Sequence, residues 1–188
     1  MGFEVNGVPR IPPEQRLNVF ALVIYVPDPL GRFLDDLRLQ LVPDCNPHAH
    51  VSVLPPRPIA GDWMKARDRV RSLTADWTPF EITLGNVGIF PITNVVYLEL
   101  NGGAPEMHRL HATMNTGLLE FDEPFTYHPH LTLAQEVQPG EVGEVRRRAQ
   151  QMWEAFEGPR SFRAERATFV QNTLGNCWID LAEYLLGQ

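Results

Sequence analysis

A chain of 188 residues, 44% hydrophobic and 21% charged, is long enough for one packed domain or two small lobes sharing a core, and its composition excludes disorder. Its net charge of −7 argues against a protein that coats nucleic acid, because phosphate neutralisation needs clustered Lys and Arg. The longest apolar run, Val19–Val26, falls far short of the ~20 residues that span a bilayer, and Met1–Arg16 lacks the order of a signal peptide. A cytoplasmic protein with no membrane partner is therefore expected.

After an N-terminal extension over residues 1–17, Asn18–Pro27 is β-branched and aromatic and reads as a strand. Pro29–Leu41 carries Leu30, Phe33, Leu34, Leu37 and Leu41 at helical spacing, with Asp28 as cap and Pro29 in the first turn. His48–Leu54 is a short alternating strand stopped by Pro55-Pro56, Ala60–Trp77 a helix and Phe80–Phe90 a strand. The order then repeats, with a strand over Asn94–Leu100, a helix over Pro105–Leu119 and a strand over Tyr127–Ala134. A helix over Glu141–Phe156 and a strand over Ser161–Asn172 complete the second half, and Asn176–Leu181 closes the chain.

Each half thus runs strand, helix, His-bearing strand, helix, strand, with similar spacing from His50 to Phe80 and from His130 to Phe162. An internal duplication over about 18–90 and 94–172 accounts for this. The expected fold is α+β, a single bilobal domain over 18–188. Its two pseudo-symmetric lobes have antiparallel sheets and flanking helices and face each other across a cleft.

The chemistry concentrates in Pro47-His48-Ala49-His50-Val51-Ser52-Val53-Leu54 and Tyr127-His128-Pro129-His130-Leu131-Thr132-Leu133. Residues two apart on a strand share a face, so His50 points with Ser52 and His130 with Thr132, while Val51, Val53, Leu131 and Leu133 feed the core. The bare His-x-Ser/Thr motif occurs a third time, at His111-Ala112-Thr113. That copy lies in a helix, where residues two apart diverge by about 200°. Two facing imidazoles suit phosphodiester cleavage: one takes a proton from water or a ribose hydroxyl, and the other gives one to the departing oxygen. Ser52 and Thr132 can donate to the non-bridging oxygens, and the scheme needs no metal or other cofactor.

These motifs resemble those of the 2H phosphoesterase superfamily, and within it the chain is similar to bacterial 2′-5′ RNA ligase-type proteins, over about Asn18 to Leu181. The resemblance implies activity on 2′,3′-cyclic phosphates or 2′-5′ linkages at RNA ends or nucleotides, with His50, Ser52, His130 and Thr132 as motif residues. It makes His50 the proton donor and His130 the acceptor. Where many RNA-processing relatives carry a basic residue after the second motif, this chain has Gln135, which weakens the case for a long RNA tract.

Arg57 is a candidate phosphate contact, Gln135 a candidate substrate contact, and His48 and His128 candidates for the cleft rim. The two His-x-His pairs open an alternative, a metal-dependent hydrolase, although Asp44, Asp122, Glu123 and Glu136 stand only at the strand edges. A non-catalytic binder of nucleotide phosphate is the third reading. Tyr25, Phe90, Tyr97 and Trp178 are candidates for base stacking, with core packing the commoner use of such residues. His108 and His111 are expected on a helix surface, and Arg146-Arg147-Arg148 on a solvated helix face. Cys45 and Cys177 are expected to be unrelated thiols, and the protein is expected to be a monomer.

Overall fold

The computed structural model describes residues 11–43 and 48–188; Asp44, Cys45 and Pro47 lie outside the described residues, as does most of the N-terminal extension. The elements are β1 (Arg16–Tyr25), α1 (Leu30–Leu41), β2 (His50–Arg57), α2 (Trp63–Thr74), β3 (Phe80–Phe90), β4 (Val95–Gly102), α3 (Ala104–Met114), β5 (His130–Ala134), α4 (Val142–Glu154), β6 (Ser161–Ala164), β7 (Arg166–Thr173) and β8 (Trp178–Leu185). All eight strands form one antiparallel sheet in the order β6-β3-β4-β5-β2-β1-β7-β8. The fold is α+β, with two four-stranded halves related across the β5–β2 seam.

That order sends each half's last strand into the other lobe. β3 leaves the first half to pair with β4, and β7 leaves the second half to pair with β1. The single strand expected over Ser161–Asn172 is consequently split at Glu165, because β6 pairs with β3 in one lobe and β7 with β1 in the other. The seam between the lobes carries one register pair, Val51 opposite Leu131.

Of the further boundaries that differ from expectation, two have a definite physical origin. Pro55-Pro56 does not end β2. Between Phe20↔Arg57 and Leu22↔Leu54 the register shifts, so β2 carries one extra residue there. A bulge is where a strand tolerates residues that cannot donate to the ladder. Helix α2 starts late, at Trp63, where the Asp62 carboxylate accepts from the Met64 N–H at 2.9 Å and fixes the first turn.

Alternation assigns the two faces of the sheet. Phe20, Leu22, Ile24, Val51, Val53, Leu131 and Leu133 are buried under the helices with Leu34 and Leu37 of α1, Val70 of α2, Met107 and Leu110 of α3 and Trp153 of α4. The Trp153 indole N–H donates to the Gly85 carbonyl at 2.8 Å, beside a register shift in β3 that leaves that oxygen available. The outer face of α4 carries Arg146, Arg147 and Arg148, all exposed, with Arg147 paired to Glu144. Cys177 is an exposed free thiol. Among the described residues no helix is long and apolar enough to cross a membrane.

Candidate active site

His50 and His130 are the first residues of β2 and β5, the two strands that meet at the seam. With Val51 opposite Leu131 in an antiparallel pair, the neighbouring positions follow: His50 lies opposite Thr132, and Ser52 opposite His130. Each motif histidine therefore stands beside the hydroxyl of the other motif, about 5 Å away between Cβ atoms. The two histidines are diagonal neighbours at about 7–8 Å. All four side chains are half-buried, on the face opposite the helices.

The residue two before each histidine fixes its ring. His50 Nδ1 donates to the His48 carbonyl at 2.7 Å, and His130 Nδ1 donates to the His128 carbonyl, also at 2.7 Å. A carbonyl only accepts, so Nδ1 carries the proton in both rings. Nε2 is then the nitrogen left to exchange a proton, as acceptor when the ring is neutral and donor when it is charged. Burial pushes the His50 imidazole down to about 4, helped by the positive charge of Arg38 and the neighbouring His48 and His130. Burial also lowers His130, with His128 adding to the effect.

The His48 and His128 side chains stand at the rim, exposed. The His48 ring stacks on Tyr25 at 3.6 Å, and the Tyr25 hydroxyl donates to Asp180 at 2.7 Å. The His128 ring meets Phe90 and Tyr97 edge-on, at 5.3 and 5.6 Å. Phe90 stacks on Tyr97 at 4.0 Å, and both meet His130 by its edge. Tyr25 pairs with His50 in the sheet, Tyr97 with Thr132 and Glu99 with His130. Tyr97 is thus a buried floor, while Phe90, Tyr25 and Trp178 are half-buried on the open face. Gln135 is exposed just past the end of β5. Among the described residues no group of three or more His, Cys, Asp or Glu side chains is placed to hold a metal ion.

Three residues to which the sequence assigned no role adjoin this arrangement. The Asp35 carboxylate of α1 accepts from the Ala49 N–H at 2.6 Å, and the Ala49 carbonyl accepts from Val26 N–H at 2.9 Å, which anchors the approach to His50. Glu99 is the sheet neighbour of His130. Tyr127 donates its hydroxyl to the Ser52 carbonyl at 2.8 Å. A carboxylate on a helix and a tyrosine before a motif give no local pattern, because each acts across a long sequence separation.

Arg57, a candidate phosphate contact, stands apart from the two motif histidines and is engaged elsewhere. It lies seven residues from His50 along the bulged β2, a stretch that β1 covers in five residues from Tyr25 to Phe20, about 17 Å, and is 2% exposed. Its guanidinium pairs with Glu123 and donates to Asn115 Oδ1 at 2.7 Å and the Leu119 carbonyl at 3.1 Å. His111 likewise leaves the helix surface where it was expected. Its Nε2–H donates to Glu123 at 2.8 Å and its ring stacks on Tyr127 at 3.8 Å. His108 stays exposed on α3, edge-on to Tyr127.

Arg57→Met is expected to lower stability by about 3 kcal/mol, since it leaves the Glu123 carboxylate without its main partner. Urea unfolding checks this. An unchanged midpoint together with a raised KM would return Arg57 to the substrate.

A family model described as the 2′-5′ RNA ligase superfamily matches residues 26–176. A Bacillus cytotoxicus protein named "Putative phosphoesterase" is 31% identical over 77 residues, 40% of this chain and 44% of that one. A Bacillus cereus protein of the same description is 27% identical over 105 residues, 51% and 60% of the two chains. The chain spans about half the length of the curated relatives it matches. Among solved structures, Escherichia coli LigT complexed with NADP+ superposes with a TM-score of 0.63 at 17% identity, over 93% of this chain and 99% of that one. Kluyveromyces marxianus Usb1 superposes with a TM-score of 0.52 at 14% identity, over 87% and 97%. These two likenesses concern the fold.

Proposed function

The chain belongs to the 2′-5′ RNA ligase superfamily of two-histidine phosphoesterases, and on that premise we propose that it opens a cyclic or 2′-5′ phosphodiester at a nucleotide or RNA end by metal-independent proton transfer through His50 and His130. The observation that carries this reading is the seam register, which sets each imidazole beside the hydroxyl of the other motif.

In hydrolysis of a 2′,3′-cyclic phosphate, the neutral imidazole takes a proton from water at Nε2 as the water oxygen attacks phosphorus. The bond from phosphorus to one ribose oxygen breaks. The charged imidazole gives its Nε2 proton to that oxygen, so the two rings exchange protonation states over the cycle. Ser52 and Thr132 donate to the non-bridging oxygens as negative charge grows on them. Ligation puts a 5′-hydroxyl in place of the water: its oxygen attacks phosphorus and its proton goes to the neutral imidazole, while the 3′-oxygen leaves with the proton of the charged one, so each ring keeps its role.

The matched Nδ1 bonds support the scheme, since each ring offers a single nitrogen at a fixed orientation. The net charge of −7 and Gln135 after the second motif favour a small phosphodiester or one RNA end over a long tract. All four motif residues come from one chain, so the proposed site needs no second copy.

The test is turnover of 2′,3′-cyclic nucleotides and 2′-5′-linked dinucleotides in excess EDTA. Turnover is expected to be unchanged by the chelator. A loss that zinc restores would make this a metal-dependent hydrolase built on the His-x-His pairs. Binding without turnover across these substrates would make it a nucleotide-phosphate binder.

A further inference from the structure

The two motif strands meet at the weakest junction of the sheet. Every other pair of neighbouring strands shares several register positions, whereas β2 and β5 share only Val51↔Leu131. On one side the junction is hard to extend, because Pro129, immediately before His130, has no N–H to give. Yet the separation of His50 and His130 is set across this seam. Acid–base chemistry needs both rings within about 3 Å of the reacting oxygens, and a misplacement of about 1 Å costs on the order of 100-fold in rate.

Tyr127 crosses the same seam. It lies three residues before His130, and its hydroxyl donates to the Ser52 carbonyl of β2 at 2.8 Å. A side chain thereby ties the approach to the second motif onto the backbone of the first. The ring is itself held. His111 stacks on it at 3.8 Å with the planes 9° apart, and His108 meets its edge at 5.4 Å. His111 is fixed by Glu123 at 2.8 Å, and Glu123 by the buried guanidinium of Arg57. Asn115 completes the frame: its Oδ1 accepts from Arg57 and from the Phe121 N–H at 2.9 Å. The loop from α3 to β5 is therefore pinned at both ends of a charged network, whose last member touches Ser52. Burial, with the Glu123 carboxylate, pushes the Tyr127 phenol up, so the hydroxyl remains a donor.

We propose that Tyr127, held by the Arg57–Glu123–His111 network, is a positioning residue that clamps the two motif strands together and sets the separation of His50 and His130. The consequence for turnover rests on the two-histidine reading above; the clamp itself does not. It also gives the otherwise unused third His-x-Thr copy a role, through His111 as the ring that holds Tyr127 in place.

Tyr127→Phe isolates the clamp, because it removes the hydroxyl and keeps the stacked ring. The variant is expected to lose about tenfold or more in kcat on a 2′,3′-cyclic nucleotide, with KM within about twofold. Amide hydrogen exchange at Val51 and Leu131 is expected to quicken about tenfold, while the β3–β4 amides keep wild-type rates. Exchange that quickens evenly across the sheet, in step with a lower Tm, would reduce Tyr127 to a general stabilising residue and overturn the proposal. So would wild-type exchange at Val51 and Leu131. If the wild-type protein turns over no phosphodiester, the functional reading fails, and the exchange pattern still decides the clamp.

Discussion

His50→Ala and His130→Ala are each expected to lower kcat by about 10²–10⁴-fold, the usual range for a positioned acid or base, while leaving the fold intact. Both rings sit on the open face of the sheet, and the apolar side chains that build the core point the other way. Removal of either ring therefore takes away a proposed proton carrier without opening a core cavity. The double variant is expected to be little slower than the worse single one, since the two rings act as a unit. Steady-state rates with a 2′,3′-cyclic nucleotide, beside a thermal melt of each variant, check this; wild-type kcat in either variant would end the two-histidine mechanism. A substrate whose leaving group needs no proton, such as a nitrophenyl phosphodiester, separates the roles: only the variant that has lost the donor regains rate. The family resemblance names His50 as donor. Burial, joined by the charge of Arg38, favours the neutral form of His50, which would make His130 the donor in hydrolysis. The rescued variant decides between them.

The parts of this molecule legible in its sequence are those that depend on local pattern. Alternation in His50–Leu54 and His130–Leu133 correctly separates a buried face from a polar one, because a strand has period two whatever it pairs with. The helical copy of the motif is set aside by the same reasoning, since His111 and Thr113 diverge around α3. What was not legible is what long-range pairing decides. Ser161–Asn172 reads as one strand because nothing local marks Glu165 as the crossing between lobes. Pro55-Pro56 reads as a stop because a bulge opposite Phe20–Leu22 is a property of the pair of strands. Arg57 follows a motif closely enough to suggest phosphate, yet the strand carries it away from His50, and Glu123, distant in sequence, neutralises it. Asp35, Glu99 and Tyr127 are silent for the same reason. Each is placed by the fold beside a motif that it does not neighbour in the chain.

The electrostatics of the seam also predict an acid-shifted pH dependence. Burial lowers both motif imidazoles below their usual value near 6.5, His50 to about 4. The proposed mechanism needs one ring neutral and one charged, so kcat/KM is expected to follow a bell bounded by the two macroscopic pKa values of the free enzyme. The bell is the same whichever ring is the base. Both limbs therefore fall below about pH 6.5, and kcat/KM is expected to peak between about pH 4 and 6.5 and to decline as neutrality is approached. A bound phosphodiester changes the balance, because its negative charge favours the imidazolium. The alkaline limb of kcat is accordingly expected at higher pH than that of kcat/KM. Rates on a 2′,3′-cyclic nucleotide from pH 4 to 9, at limiting and at saturating substrate, test both statements. A kcat/KM profile that stays flat from pH 5 to 9 while chemistry is rate-limiting would mean that protons do not pass through this pair. An alkaline limb of kcat/KM above pH 8 would mean that the buried environment of the seam does not lower the rings in solution.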